Sequence, residues 1–317
     1  MTKLVHVAVG VIVNAGGKIL IAKRPLSAHQ GGLWEFPGGK VDAGETIQQA
    51  LVRELHEELA IEVLASTPLI QIRHYYPDKS VLLDVHKITR FNGEPCGNEG
   101  QPVQWVEPAR LSQFEFPAAN RPIINAINLP SRYLISGEFN DEDDFSKRLN
   151  VALNAGVRVV QLRIKDFDLS QYRSLFDSAV ASTEQASAQL IINTTPSCFA
   201  QISKEYPNLA IGLHLGGAQA AALIERPVGS DTLLGISCHN AEEIIHAQKL
   251  GADYLFISPV LPTRSHPDAE PLGWSEFANL VELANVPVYA LGGVGVEHIS
   301  AAQACGAQGV AGISAWW

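Results

Sequence analysis

The alternation of short apolar stretches with amphipathic segments after residue 130 constrains the fold of this chain more than any other feature. β-rich apolar stretches recur eight times, and segments typical of amphipathic helices fill the seven intervals between them. The predicted strands are 132–136, 157–164, 189–194, 210–215, 233–239, 253–260, 286–292 and 309–314. Eight strands with helical crossovers predict a TIM (β/α)8 barrel, and an open doubly wound sheet is the alternative.

The predicted barrel differs from the usual one at its last unit. Only Ala315-Trp316-Trp317 follows the eighth predicted strand, so the eighth helix is predicted to be missing. We expect another part of the chain, the N-terminal domain first, to cover the flank of the barrel that this helix would otherwise cover.

The first 130 residues have a different pattern. A β-rich segment at 5–13 and a second at 18–24 flank Gly16-Gly17, which predicts a hairpin. A helix is predicted over about 46–59, strands near 68–74, 80–90 and 102–106, and a short helix near 121–127. These elements predict a compact α+β domain. We therefore expect two domains, 1–130 and 131–317, joined near Pro130.

Charge and cysteine usage exclude several classes of protein. The net charge is −10, and residues 1–130 carry 12 basic and 13 acidic side chains, so neither half has the basic footprint that a nucleic-acid polymer requires. The four cysteines are scattered without CxxC spacing, which argues against a zinc site. No signal segment or long apolar run is evident, so we expect a cytoplasmic protein without a membrane partner.

Three carboxylates on one predicted helix point to metal chemistry. Glu54, Glu57 and Glu58 are spaced i, i+3 and i+4, which places them on one helical face. Such a group is stable when cations lie among the oxygens, and oxygen ligands favour Mg²⁺ or Mn²⁺. Arg53 precedes Glu57 by four residues and is predicted to brace it. For an isolated acidic segment, a solvated surface would be the better interpretation.

The surrounding pattern favours the metal site. Gly39, five residues, Glu45, seven residues and the segment 53–58 match the Nudix box, so this part of the chain resembles Nudix hydrolases. The resemblance implies an α/β/α sandwich. Ala60 stands where the box ordinarily has a helix-terminating glycine, and a left-handed alanine there would cost about 1 kcal/mol.

Within that superfamily the chain is similar to the MutT type, the 8-oxo-dGTP diphosphatases, through LWEFPGGKVDAGET, VRELHEEL, GEPCGNEGQPVQW and FPAANRPII. The resemblance implies a catalytic group consisting of Arg53, Glu54, Glu57 and Glu58, in which Glu54 orients or deprotonates the attacking water. It implies metal ligation by the Gly38 carbonyl, Glu57, Glu58 and Glu99. It implies substrate binding by Arg24, His29, Phe36, Lys40 and Asn120.

Asn120 is the residue that the resemblance assigns to the oxidised guanine edge. A side-chain amide offers both a donor and an acceptor, and 8-oxoguanine presents a protonated N7 beside the O6 acceptor. Taken alone, Asn120 is better explained as a turn or helix cap before Pro122. The implied reaction is attack of a metal-activated water on phosphorus, which releases a nucleoside monophosphate and pyrophosphate.

Polar side chains in the predicted barrel suggest a phosphate-bearing ligand. Gln161, Arg163 and Lys165 alternate with apolar residues, so they point to the barrel interior or mouth, where a buried charge needs an anionic partner. Gly292-Gly293 and Gly312-Ile313-Ser314 follow the seventh and eighth strands, the common phosphate site of such barrels. Salt bridging at the barrel floor is the alternative.

Residues 132–315 resemble the thiamin-phosphate synthase/TenI family through QLRIK, IINTT, GLHLGG, GISCHNAEE, GADYLFISPVLPT and ALGGV. The resemblance implies a phosphate-bearing ligand lined by Arg163, Lys165, Asn193, Thr263, Gly293 and Ser314. The synthase's acidic metal ligands are replaced here by Thr194-Thr195 and Gly217-Ala218-Gln219, which favours the TenI tautomerase branch. His239 matches the histidine of that branch, although a packed structural histidine or a non-catalytic binding domain stays open.

Three hypotheses follow from the sequence. The chain is a nucleotide-pool sanitiser with an accessory barrel, a thiamin-pathway enzyme that hydrolyses a thiamin- or pyrimidine-type diphosphate, or a protein whose barrel senses a thiamin-related phosphate. The implied partners are a nucleoside triphosphate substrate, a thiamin-related phosphate and Mg²⁺, with a homodimer left open.

Overall fold

The computed structural model describes residues 4–27, 30–75, 80–164, 167–263 and 269–317. The chain divides into two compact units, Met1–Asn128 and Leu129–Trp317. The predicted site residues His29 and Lys165 lie outside the described residues. Leu129, the first residue of the second unit, packs into the core inside the barrel.

Two sheets form the first unit. Its strands are β1 Leu4–Ile12, β2 Ile19–Lys23, β3 Trp34–Glu35, β4 Gly38–Lys40, β5 Glu62–Tyr75, β6 Ser80–Asn92 and β7 Val103–Val106. Its helices are α1 Ile47–Leu59 and α2 Arg121–Asn128, with 3-10 turns at Pro108–Gln113 and Ala118–Asn120. One sheet has the order β4-β1-β6-β5 and the other β3-β2-β7. The larger sheet has apolar cores on both faces, one including side chains of α1 and the other side chains of α2.

The predicted hairpin between β1 and β2 is wrong. The two strands share a single antiparallel bridge, Val13–Ile19, and belong to different sheets. β1 instead pairs in parallel with β6 and antiparallel with β4. The reason is that β1 is buried on both faces, with Ala8 in one core and Val9 in the other, so a partner on each edge gives it a central position.

Helix α1 has defined ends. Thr46 caps its start by accepting a hydrogen bond from the Gln49 N–H, and the Gln49 side chain accepts one from the Thr46 N–H, which forms a capping box. Leu51, Leu55 and Leu59 are fully buried on one side of the helix. The helix ends at Ala60 with φ 56° and ψ 32°, so alanine keeps the left-handed conformation that the usual glycine of the box would adopt.

The second unit is a closed barrel of eight parallel strands in the order β10-β11-β12-β13-β14-β15-β8-β9. This confirms the predicted barrel and excludes the open sheet. The strands are β8 Arg132–Ile135, β9 Val159–Arg163, β10 Gln189–Asn193, β11 Ile211–Leu215, β12 Leu234–Cys238, β13 Tyr254–Ile257, β14 Val288–Ala290 and β15 Gly309–Gly312. The helices are α3 Glu142–Asn154, α4 Leu169–Gln185, α5 Pro196–Glu205, α6 Gly217–Ala221, α7 Ala241–Lys249, α8 Gly273–Val281 and α9 Ile299–Ala304, with a 3-10 turn at Val296–His298.

Aromatic side chains fill the barrel interior. Tyr133, Tyr254, Phe256 and Tyr289 are all buried there, and the Tyr133 and Tyr254 hydroxyls lie 2.7 Å apart. The hydroxyls of Tyr133 and Tyr254 therefore have hydrogen-bond partners inside the barrel.

The described residues contain no helix after β15, as predicted. Trp316 and Trp317 pack against the core between strands and helices, and the Trp317 ring centroid lies 5.3 Å from that of Phe145 in α3. The Trp317 indole N–H also donates to the Glu138 carbonyl at 2.9 Å. These side chains cover part of the barrel flank where an eighth helix would ordinarily pack. Cover of that flank by the N-terminal domain stays a prediction. No described helix has the length and hydropathy needed to cross a membrane.

Candidate active sites

The α1 carboxylates meet the glycine-rich strand β4. The Glu58 carboxylate accepts a hydrogen bond from the Gly38 N–H at 3.1 Å. A Cβ atom at Gly39 would lie 2.2 Å from the Glu54 carboxyl carbon, so only glycine allows this close approach. Strand β4 and helix α1 are therefore held together at the predicted catalytic acids.

Arg53 organises the same site, but its main partner is not the predicted one. Its Nε and Nη2 donate to the two oxygens of Glu45 at 2.8 Å each, and its Nη1 donates to Glu54 at 2.8 Å. The Nη2 atom also donates to the Lys40 carbonyl at 3.0 Å, whereas Glu57 lies 3.7 Å away. A planar guanidinium binds a carboxylate most strongly as a two-pronged fork, and Glu45 faces both prongs.

Glu45 is thus a site residue that the predicted catalytic group omitted, although its fixed place in the Nudix box was a signal for it. The hydrogen bonds from Arg53, followed by that from the Asp42 N–H, lower the pKa of Glu45 to about 2. The pKa of Arg53 is raised by its hydrogen bonds to Glu45 and Glu54. Both side chains remain charged over the physiological range, so this link persists with pH.

The charge balance around Glu58 favours a cation. Burial first, and then the nearby carboxylates of Glu35, Glu54 and Glu99, raise its pKa to about 8 against the lowering effect of the Gly38 N–H. A positive ion at this point would relieve both the desolvation and the repulsion. The donor set therefore fits a hard divalent metal ion such as Mg²⁺, with Glu57, Glu58, Glu99 and the Gly38 carbonyl as the residues that would hold it.

The ligands are not fully assembled. Within the described residues, no three histidine, cysteine or carboxylate side chains already form a metal-binding group. Glu57 has 57% of its side chain exposed, and Glu99 lies exposed in the loop between β6 and β7. Two of the proposed ligands therefore have solvent-exposed side chains.

The predicted substrate-binding residues Arg24 and Lys40 differ in their contacts and exposure. Glu99 and Arg24 both line a cleft of about 350 Å³. Arg24 forms an ion pair with Glu35, and burial raises the pKa of Glu35 despite that pair. Lys40 is exposed at the end of β4.

Phe36 and Asn120 are both buried. Phe36 stacks on Phe116 with ring centroids 5.3 Å apart. Asn120 ends the 3-10 turn before α2, and its backbone N–H donates to Pro117.

In the barrel, Gln161 and Asn193 come together whereas Arg163 stands apart. Gln161 is buried, accepts a hydrogen bond from the Asn193 amide at 3.0 Å and donates to the Tyr133 hydroxyl at 3.4 Å. Arg163 ends β9 with its side chain exposed, which fits the mouth rather than the interior among the two predicted locations. The strand reaches solvent at its last position, where a charged group keeps its hydration.

His214 is a barrel residue that the sequence analysis missed, although it lies in the quoted segment GLHLGG. It is fully buried, with Nδ1 3.2 Å from the Tyr254 hydroxyl and Nε2 2.9 Å from the Ser237 hydroxyl. Burial, and then the charge of Arg163, lower the pKa of His214 to about 3. The imidazole is therefore neutral at physiological pH and links two hydroxyl groups.

The glycines after β14 are required by the backbone. Gly292 and Gly293 have φ values of 89° and 68°, and a Cβ atom at Gly293 would lie 2.5 Å from the Pro262 carbonyl oxygen. The Gly293 backbone therefore packs directly on the segment that carries Thr263. Strand β15 pairs with β14, which brings the segment Gly312-Ile313-Ser314 to the same end of the barrel, with Ser314 exposed.

His239 lies after β12 and is half exposed. Its Nδ1 lies 2.9 Å from the Glu243 carboxylate, which also accepts a hydrogen bond from the His239 N–H at 2.8 Å. Gln219, at a position of the missing synthase acids, accepts a hydrogen bond from the Gly216 N–H at 2.9 Å. Thr195 likewise caps the start of α5. Gln219 and Thr195 therefore both hydrogen-bond to backbone N–H groups at helix starts.

Comparison with known proteins gives two separate similarities. Residues 8–126 match the NUDIX domain family, and residues 132–316 match the family described as thiamine monophosphate synthase. The 8-oxo-dGTP diphosphatase of Escherichia coli (strain K12) is 40% identical over 122 residues, which cover 38% of this chain and 95% of that protein. The CTP pyrophosphohydrolase of the same organism is 36% identical over 124 residues, 39% of this chain and 91% of that protein.

The similarity of the barrel is of comparable strength. A putative thiamine-phosphate synthase 2 of Aquifex aeolicus (strain VF5) is 34% identical over 188 residues, which cover 59% of this chain and 98% of that protein. Each half of the chain thus aligns with nearly the whole of a separate protein.

Proposed function

Because the chain belongs to the Nudix family over residues 8–126 and to the thiamine monophosphate synthase family over residues 132–316, we propose that it is a bifunctional protein whose N-terminal unit hydrolyses 8-oxo-dGTP. The products are 8-oxo-dGMP and pyrophosphate, and the role is removal of oxidised purine nucleotides before they enter DNA. The observation that carries this proposal is the convergence of Glu54 and Glu58 on β4, with Arg53 bridging to Glu45.

The residues divide the chemical work. When bound, Mg²⁺ supplies positive charge to the phosphates and acidifies water. Glu57, Glu58 and Glu99 provide the ligands, and Glu54 accepts the proton of the attacking water while Arg53 holds its carboxylate in place. Water then displaces pyrophosphate from the nucleotide at phosphorus.

Asn120 is the proposed discriminating residue for the oxidised base. Its amide can accept a hydrogen bond from the N7–H of 8-oxoguanine and donate to O6, whereas guanine offers two acceptors at that edge. Loss of one such hydrogen bond should reduce the preference for 8-oxo-dGTP over dGTP by about tenfold in Asn120→Ala. An unchanged preference would exclude Asn120 from base recognition.

The hydrolysis is tested on the full chain with MgCl2 and 8-oxo-dGTP. Glu57→Gln and Glu58→Gln should each lose most of kcat while the protein keeps its fold by circular dichroism. Glu62→Gln is the matched control, because Glu62 lies on a strand outside the site and accepts a hydrogen bond from the Asn92 amide. Full activity in both Glu57→Gln and Glu58→Gln would refute the proposal.

A pyrimidine substrate is the second candidate. The similarity to a CTP pyrophosphohydrolase favours it, as does fusion to a barrel of the thiamine monophosphate synthase family. Values of kcat/KM for 8-oxo-dGTP, CTP and thiamin diphosphate, measured under one set of conditions, separate the two candidates. A tenfold or greater advantage for CTP or thiamin diphosphate would assign the Nudix half to the pyrimidine class.

The barrel is proposed to bind a thiamin-related phosphate. Arg163 stands exposed at the mouth without an ion pair to any described residue, and the backbone N–H groups after β14 and β15 are suited to phosphate oxygens. His239, held by Glu243, is the candidate proton carrier of a tautomerase reaction. The replaced acids disfavour the synthase reaction with a Mg²⁺-bound diphosphate.

Calorimetric titration of the full chain with thiazole phosphate tests the binding. Arg163→Gln should weaken the affinity, and Arg158→Gln is the control because Arg158 donates to the Leu153 and Val157 carbonyls outside the mouth. Binding that His239→Gln leaves intact, with tautomerisation lost, would support catalysis. Binding without any turnover in the wild type would establish a sensing or accessory barrel.

A further inference from the structure

The loop between β6 and β7 lies against the C-terminal turn of α1. The last carbonyls of a helix have no partners within the helix and need them from elsewhere. Here the Cys96 N–H donates to the Leu59 carbonyl at 3.1 Å, and the Asn98 N–H donates to the Glu58 carbonyl at 3.0 Å. The Asn98 side-chain amide donates to the Glu57 carbonyl at 2.8 Å. The loop is therefore bound to the turn that carries two of the proposed metal ligands.

Gln101 links this turn directly to Glu99, the third carboxylate among the proposed metal ligands. Its Nε2 donates to the Glu58 carbonyl at 2.9 Å, and its Oε1 accepts a hydrogen bond from the Glu99 N–H at 2.9 Å. One half-buried amide thus connects the backbone of Glu58 to the backbone of Glu99. The loop is closely packed at this point, since a Cβ atom at Gly97 would lie 1.7 Å from the Gln101 carbonyl oxygen.

We infer that Gln101 is a positioning residue for the Nudix reaction, which sets the place of Glu99 relative to Glu58; this inference rests on the proposed function. The Glu99 side chain is exposed and lies on a loop. Its contribution to metal affinity therefore depends on how the backbone of Glu99 is held relative to Glu58. An amide is suited to this role because the link needs one donor and one acceptor. Groups that orient metal ligands typically contribute about 10- to 100-fold to metal affinity.

A role limited to capping α1 gives a different result. If Gln101 only caps α1, its substitution should lower the stability of the protein and leave the metal affinity of the folded protein unchanged. A positioning role lowers metal affinity in the folded protein and acts through Glu99. The two roles therefore differ in Mn²⁺ affinity measured without substrate, and in whether the effect persists once Glu99 is altered.

The experiment measures Mn²⁺ binding to the full chain by electron paramagnetic resonance without nucleotide, beside thermal unfolding. Gln101→Met keeps the length of the side chain and removes both hydrogen bonds, and it should weaken Mn²⁺ binding about tenfold. Gln101→Asn, which is too short to span both partners, is the second variant should the first be unstable. Asn92→Ala is the control, because its amide contacts Glu62 and not α1.

A double-mutant cycle decides whether Gln101 acts through Glu99. Glu99→Gln should weaken Mn²⁺ binding, and adding Gln101→Met to it should cause little further loss. Additive losses, or wild-type Mn²⁺ affinity in folded Gln101→Met, would overturn this inference alone. Absence of Mn²⁺ binding by the wild-type chain would overturn the proposed function and this inference with it.

Discussion

Replacing Ala60 by glycine should stabilise the N-terminal unit. Ala60 ends α1 with φ 56°, and its N–H donates to the His56 carbonyl at 3.0 Å, so the left-handed conformation is fixed by the helix end. This conformation costs an L-residue about 1–2 kcal/mol, whereas glycine adopts it freely. Glycine also gains freedom in the unfolded chain, which offsets about 0.4–1 kcal/mol.

The net gain is about 0.5–1 kcal/mol, which corresponds to a rise in Tm of about 2–4 °C for a unit of this size. Urea unfolding of the full chain, with hydrogen exchange of the α1 amides as a local readout, measures it. Activity should be unchanged, because no proposed metal ligand is altered.

The matched control is a pair of variants at His56, an exposed interior position of the same helix. Glycine there should be less stable than alanine by about 1 kcal/mol, because its backbone is right-handed. If Ala60→Gly gives no gain, or if glycine is equally tolerated at both positions, the strain assigned to Ala60 is wrong.

Three further results are expected. Gly39→Ala should reduce kcat at least tenfold with modest loss of stability, since its Cβ would meet the Glu54 carboxyl at 2.2 Å; a wild-type kcat would contradict this contact. Gly293→Ala should destabilise the barrel by more than about 1 kcal/mol in chemical unfolding, because φ is 68° and a carbonyl lies 2.5 Å from the new atom; unchanged stability would contradict it. In metal-free buffer, burial raises the folded-state pKa of Glu58 to about 8. Its contribution to the stability of the folded protein is therefore present below pH 4.5 and is lost as the pH rises towards 8. Glu58→Gln should remove this decline in Tm with pH, and a pH profile identical to that of the wild type would contradict the assignment.

Periodic patterns made the barrel and α1 predictable, because each barrel strand is a short apolar run buried on both faces and each helix buries one face. The capping residue Thr46 and the left-handed end at Ala60 follow from local chemistry that the sequence displays directly. Pairing between distant strands was not predictable in the same way. The short turn after β1 suggested a hairpin, whereas burial of β1 on both faces favours partners that lie far along the chain.

The site residues likewise include features that local sequence predicts and features that depend on contacts in space. Types and spacings placed the carboxylates on one face, but the choice of Arg53 between Glu45 and Glu57 depends on which carboxylate meets both prongs of the guanidinium in space. His214 is polar and lies between two leucines, and its neutrality becomes evident only from its enclosure. Exposure of Arg163 similarly depends on where β9 ends relative to the barrel mouth.

The single bridge between β1 and β2 has a practical consequence for protein engineering. In a true hairpin, extra residues in the turn shift the pairing of both strands, but here β1 and β2 are each held by other partners. The turn is stabilised locally by the Asn14 side chain, which accepts hydrogen bonds from the Gly16 and Lys18 N–H groups. This exposed turn is therefore a place in the Nudix unit where an epitope or a labelling peptide can be inserted with little disturbance of either sheet.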